Sequence, residues 1–172
     1  PHIDLLWSYK WLTGMMCAWP QYSLAQVRSA IDMMRKAYTR AGVGRAGVLW
    51  AEFHLAQEAG SDAEIRDALA KIRTTPIDEY SNCDACSRAS EINAMAHLGE
   101  EDRALALFDE LMASGDTCAE EPETIVSECL GLLLHSGRSQ QAVMLQERSY
   151  PRIMSGPGHI GAQCQHMMFF LA

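Results

Sequence analysis

Cys83-Asp84-Ala85-Cys86 is a C-x-x-C placed where a helix is expected to begin. Thiols at a helix N-terminus sit at the positive end of the backbone dipole beside unpaired N–H groups, which favours the thiolate. Cys118 stands just before another expected helix. If the chain is built of paired helices, these are the fifth and seventh. Like-numbered helices present their N-termini on one edge, so the three sulfurs converge by topology alone. Zinc takes four ligands, and Cys₃His is an ordinary structural set. A histidine is therefore wanted as the fourth ligand. His159 opens the ninth expected helix on the same edge, 76 residues after Cys83, twice the repeat offset of 38 described below. Two other readings of the thiols stand beside zinc: reduced structural cysteines, and a redox or disulfide pair. A thioredoxin-like use of C-x-x-C needs a βαβ context, and the sequence offers none. Cys17, Cys129 and Cys164 fall inside expected helices and read as buried core.

Other chemistry-bearing residues have plainer readings. Glu100, Glu101 and Asp102, and later Glu120, Glu121 and Glu123, are acidic runs at helix starts, where they complement the helix dipole. His97 and His135 sit near helix C-termini, a structural placement for a donor or a positive group. His54 is a lone histidine beside Phe53. No Walker A, GxGxxG, GxSxG or HExxH pattern is present. Trp7, Trp11, Trp19 and Trp50 gather in the first third; they either seal the N-terminal end of the fold or line a peptide groove. The ten methionines suit adaptable surfaces or irregular cores equally.

The elements that position these residues are helices. Breakers punctuate the chain, and the segments between them carry apolar residues at i, i+3, i+4 and i+7. The first helix is expected over Ile3–Ala18, with Leu5, Leu6, Tyr9, Leu12 and Met16 inward. Ser23 and Gln26 form a capping box that opens the second, with Leu24, Val27, Ile31, Met34 and Tyr38 inward. The third covers Arg45–Ala59 and ends on Gly60. Ser61 and Glu64 form another capping box and open the fourth, which Pro76 stops. The remaining five are expected from Asp84, from Glu101, around Pro122, from Ser139 and from His159. β-branched alternation is nearly absent, which argues against a sheet.

An internal repeat links the pairs. His97-Leu98-Gly99-Glu100-Glu101-Asp102-Arg103-Ala104 aligns without gaps on His135-Ser136-Gly137-Arg138-Ser139-Gln140-Gln141-Ala142, at an offset of 38 residues. Glycine permits the tight turn, and the alanine five positions later lets two helices approach closely. Gly60, followed by Ile65, Ala68 and Leu69, carries the same logic 39 residues upstream of Gly99. Two helices per 38–39 residues is close to the tetratricopeptide period, and Asn93–Gly99 with Ala104 and Phe108 resembles the core pattern of that class in a degenerate form. The chain also resembles an uncharacterised, largely actinobacterial family of TPR-like proteins. That resemblance rests on Ser23–Arg40, Pro76–Cys86, Thr117–Pro122 and the terminal stretch with His166 and Phe169. It implies a right-handed α-solenoid and places the fourth zinc ligand at His166. His166 lies about seven residues into its helix, ~10 Å along the axis, so a superhelical tilt must bring it to the cysteines.

Composition bounds the rest. The 172 residues carry 14 Lys+Arg against 22 Asp+Glu, a net charge of −8, with 48% apolar types. That is an ordinary globular mix able to bury a core. It lacks the positive stripe that nucleic acid requires. Its longest apolar runs, Leu130–Leu134 and Met167–Ala172, are far short of the ~20 residues a bilayer needs. Uneven cysteine spacing reads as a reduced, cytoplasmic protein. A start at Pro1 and an end inside an apolar run read as a segment of a longer protein. The expectation is one all-α domain over residues 1–172, with about nine helices in antiparallel pairs. Its expected role is non-enzymatic: a scaffold binding a protein or peptide in a concave face, carrying a structural zinc at Cys83, Cys86, Cys118 and His166. The alternative is a thiol- or metal-responsive regulator using the C-x-x-C pair. A zinc enzyme would need an open metal position carrying water. The final helix lacks a pairing partner, which allows a homodimer.

Overall fold

The computed structural model describes residues 2–155 and 160–171, with side chains from residue 5 onward. Among the described residues the chain is all-α, without strands. Its helices are α1 (His2–Ala18), α2 (Leu24–Ala41), α3 (Ala46–Ala59), α4 (Asp62–Thr74), α5 (Asp84–His97), α6 (Glu101–Ser114), α7 (Glu123–His135), α8 (Ser139–Met154) and α9 (Ile160–Phe169). They fall into two compact units, Pro1–Asn82 and Cys83–Ala172. No described helix is long and apolar enough to cross a membrane.

In the first unit α3 packs against α1, α2 and α4. Both capping boxes form. The Ser23 and Ser61 hydroxyls accept the N–H groups of Gln26 and Glu64 at 3.4 Å, while those side chains accept the cap N–H groups at 2.9 and 2.7 Å. The core gathers Leu6, Val27, Ile31, Met34, Tyr38, Val48 and Ala51 around Tyr80. Tyr80 comes from the segment after α4 and is fully buried. Asp78 fixes that segment. Its Oδ2 accepts the Ala46 N–H at 3.0 Å, at the start of α3, and its Oδ1 accepts the Tyr80 N–H at 2.8 Å. Gly44 makes room for this carboxylate, since a Cβ there would stand 1.8 Å from Oδ2.

The inner face of α1 differs from the expected stripe. Leu5 and Leu12 are exposed, and Leu24 at the start of α2 is exposed as well. Leu6 is buried as expected, but Lys10 and Thr13 are buried beside it. Lys10 reverses the polarity rule because its Nζ donates to the Tyr80 carbonyl at 2.7 Å and to Asn82 Oδ1 at 2.5 Å. It also lies 4.4 Å above the Trp7 ring. These partners come from the far end of the unit, so helical periodicity carries no trace of them.

In the second unit α5 packs on α6, α7 on α8, and α9 on both α7 and α8. The repeat is visible atom by atom. Gly99 and Gly137 are both left-handed, at φ 72° and 78°. Their N–H groups donate to Ala96 and Leu134, and the following N–H groups of Glu100 and Arg138 donate to Met95 and Leu133. Ala104 and Ala142 are both fully buried. Gly60 does not share this turn. It caps α3 in an extended conformation, and its lack of a Cβ matters for space, since one would lie 2.5 Å from the Ala56 carbonyl oxygen.

Two predictions follow from the first unit. Asp78→Ala removes the cap of α3 and releases Tyr80, and should destabilise the unit by about 1–2 kcal/mol, read by urea unfolding followed through tryptophan fluorescence. His54, stacked on Trp50 at 4.7 Å, is pushed down to about 4 by burial, helped by the Lys10 charge. An unfolded imidazole titrates near ~6.5. Between these values the unfolded chain binds a proton that the folded chain refuses. Stability should therefore be full above pH ~6.5 and fall by up to about 3 kcal/mol as pH drops toward ~4. His54→Phe, which retains the stack, should flatten that slope in unfolding curves recorded across the window.

Candidate metal centre

Helices α5 and α6 have 14 residues each, about 21 Å apiece at 1.5 Å per residue. Joined by the tight Gly99 turn, they return the chain to the level from which it left. The segment after α6 therefore arrives beside the start of α5. The sulfurs of Cys83, Cys86 and Cys118 lie within 4.8 Å of one another, and those of Cys86 and Cys118 are 3.4 Å apart.

Backbone N–H groups point at these sulfurs. Cys83 is the N-cap of α5, and its Sγ accepts the Cys86 N–H at 3.4 Å, the task a serine or aspartate oxygen usually performs. Cys118 Sγ accepts the N–H groups of Glu120 and Glu121 at 3.4 and 3.3 Å. Its loop is closed by the Cys118 N–H on the Glu121 carbonyl at 3.0 Å. The Glu121 carboxylate turns inward to accept the Ile125 N–H at 3.0 Å, capping α7. That burial raises its pKa.

The three thiols are not equivalent. Burial raises Cys86 far above the usual thiol value, and its contacts with Cys118 and Cys83 add to the effect. Burial also opposes ionisation of Cys118, but the two backbone N–H groups and the neighbouring sulfurs outweigh it and hold that thiol below its usual value. The environment thus favours ionisation at Cys118 and opposes it at Cys86. Three soft donors, two of them with N–H groups on their sulfurs, fit a thiophilic divalent ion. Tetrahedral zinc with ~2.3 Å bonds places sulfurs ~3.8 Å apart, within a few tenths of an ångström of the Cys86–Cys118 spacing.

His166 is elsewhere. It is fully buried where α9 meets α7 and α8, with Nε2 at 3.0 Å from Ser127 Oγ and 3.3 Å from Ser149 Oγ. Its ring meets Tyr150 edge-on at 5.6 Å, and burial lowers its pKa. The expected tilt does not bring it to the cysteines, because its depth along α9 places it in the helix packing. His159 lies outside the described residues. Among the described residues no fourth histidine, cysteine or carboxylate joins the cluster. Of the cysteines assigned to the core, Cys129 is buried and Cys17 half-buried, but Cys164 is exposed. His97 and His135 occupy the last turns of α5 and α7, as expected. Sequence reading passed over Glu121 as a specific cap, and its place one residue before Pro122 was the available signal.

Comparisons with protein-family models, curated proteins and solved structures give no match to this chain.

The unequal thiols make a reactivity prediction. In metal-free protein near neutral pH, iodoacetamide should alkylate Cys118 at least tenfold faster than Cys86 or the buried Cys129, whose pKa burial pushes up to about 12. Peptide mass spectrometry over a time course reads the order.

Proposed function

We propose that this chain is a non-enzymatic, TPR-like helical-repeat scaffold for a protein or peptide partner, braced by a zinc ion on Cys83, Cys86 and Cys118. The observation that carries the metal is the convergence of three sulfurs with backbone N–H groups aimed at two of them. The matched turns at Gly99 and Gly137 support a repeat of antiparallel helix pairs stacked as a solenoid. A zinc there ties the start of α5 to the start of α7 across the one element that separates them. Its binding energy is folding energy for that unit. Cys83 is exposed, and a closed four-ligand site would take its fourth donor from outside the described residues.

A second reading rests on the 3.4 Å contact between Cys86 and Cys118. If the thiols act as a redox switch, the oxidised pair is Cys86–Cys118 rather than the C-x-x-C pair.

Metal analysis separates the two. Protein purified without chelator or affinity metal should carry about one zinc per chain. Cys86→Ser and Cys118→Ser should lose it and unfold earlier, by about 3 kcal/mol when the metal is present at ~100 times its Kd. Metal-free protein in which mild peroxide links Cys86 to Cys118 would overturn the zinc reading in favour of the switch.

A further inference from the structure

The three sulfurs at the starts of α5 and α7 admit a second guest, a possibility that rests on the thiol centre described above. Their spacing is tight. The Cys86 and Cys118 sulfurs are 3.4 Å apart, and Cys83 Sγ lies within 4.8 Å of both. A tetrahedral ion with ~2.3 Å bonds spreads its sulfurs to ~3.8 Å. A centre bonded at that length, but with angles near ~95°, holds them ~3.4 Å apart. Such angles belong to a pyramidal centre whose lone pair takes the place of a fourth ligand. Trivalent arsenic has that geometry, and soft thiolate ligands favour soft centres. It asks for three sulfur donors, which is what the described cluster supplies.

Charge points the same way. Three thiolates around a divalent ion keep one negative charge, and Asp84, Glu120 and Glu121 neighbour these cysteines in a chain of net charge −8. Three thiolates on trivalent arsenic are neutral. The arriving species, arsenous acid, is uncharged near neutral pH and meets no repulsion from an acidic surface. Cys83 is exposed and offers the first thiol, while Cys86 and Cys118 are half-buried. The donors are also held in place. Cys83 Sγ caps α5 by accepting the Cys86 N–H, and the Cys118 loop is closed by its N–H on the Glu121 carbonyl. Groups fixed before binding lose little freedom on binding.

We infer that Cys83, Cys86 and Cys118 together capture arsenite and give up zinc to it, which makes the second unit responsive to trivalent metalloids. As(OH)₃ and three S–H groups yield one AsS₃ centre and three waters. Three As–O and three S–H bonds break, three As–S bonds form, and each thiol proton leaves in a water molecule. Arsenic stays trivalent and no sulfur is oxidised, so no further reactant is needed. On a zinc-loaded site the thiolates take the arsenic, zinc leaves as the divalent ion, and the departing hydroxides take protons from solvent. The product ties the start of α5 to the start of α7, as zinc does in the reading above.

The test adds arsenite to the full chain and reads native mass spectra, zinc content and urea unfolding. Metal-free protein should gain one arsenic atom and lose three protons. Its urea midpoint should rise, because the folded chain holds the three sulfurs together and the unfolded chain does not. Cys83→Ser keeps the start of α5, since serine is a strong N-cap. It should weaken arsenite roughly a hundredfold, the cost of losing one of three linked bonds. The same variant should still bind phenylarsine oxide, which takes only two sulfurs and so reports that Cys86 and Cys118 remain in place. Arsenite affinity unchanged in Cys83→Ser, an adduct that has lost fewer than three protons, or an unmoved midpoint would each overturn the inference. Zinc content keeps the two readings apart. A zinc-loaded chain that ignores arsenite overturns this inference alone, and a zinc-free chain that forms the three-sulfur adduct overturns the zinc reading alone.

Discussion

The left-handed turn at Gly99 is the constraint on which the cysteine centre depends. It sends the chain back along a helix equal in length to the one it left, so Cys118 returns to the level of Cys83 and Cys86. A side chain in place of the glycine proton is disfavoured at that φ. Lengthening α6 by two residues would carry Cys118 about 3 Å past the site and rotate it by roughly half a turn. The same turn recurs at Gly137 with the same donors and acceptors. The second unit therefore uses one local device twice, and the thiol cluster is a geometric consequence of its first use.

The first unit is organised by a different interaction. Tyr80 and its neighbours fold back from the end of α4, filling the core with a ring and offering carbonyl and amide oxygens to Lys10. Asp78 holds that segment on the start of α3. One short stretch thus supplies the core plug, the helix cap and the acceptors for a buried charge. The arrangement concentrates stability in residues that belong to no helix, and it places a cation beside a wall of rings.

Much of this was legible beforehand, in particular places. Ser23–Gln26 and Ser61–Glu64 announced helix starts because capping is decided within four residues. Cys83, Cys86 and Cys118 could be brought together from helix lengths and a repeat offset. Other expectations failed where a distant partner intervened. Leu5 and Leu12 gave up the inner face to Lys10, which is buried only because oxygens from Tyr80 and Asn82 receive its ammonium. His166 was aligned with the cysteines through a family resemblance, but a register along a helix does not say which helices that residue will meet. Gly60 shared a sequence pattern with Gly99 without sharing its backbone conformation.

By itself, then, the sequence determined the helices, their caps, the 38-residue recurrence and the approach of three sulfurs. Each of these follows from interactions within one turn of helix or from the fixed rise per residue. Only the tertiary structure decided that Lys10 is buried, that His166 packs with Ser127 and Ser149, and that ionisation is favoured at Cys118 and opposed at Cys86. Those outcomes depend on which dipoles and apolar surfaces surround a group once water is removed, and such surroundings are assembled from residues far apart in the chain.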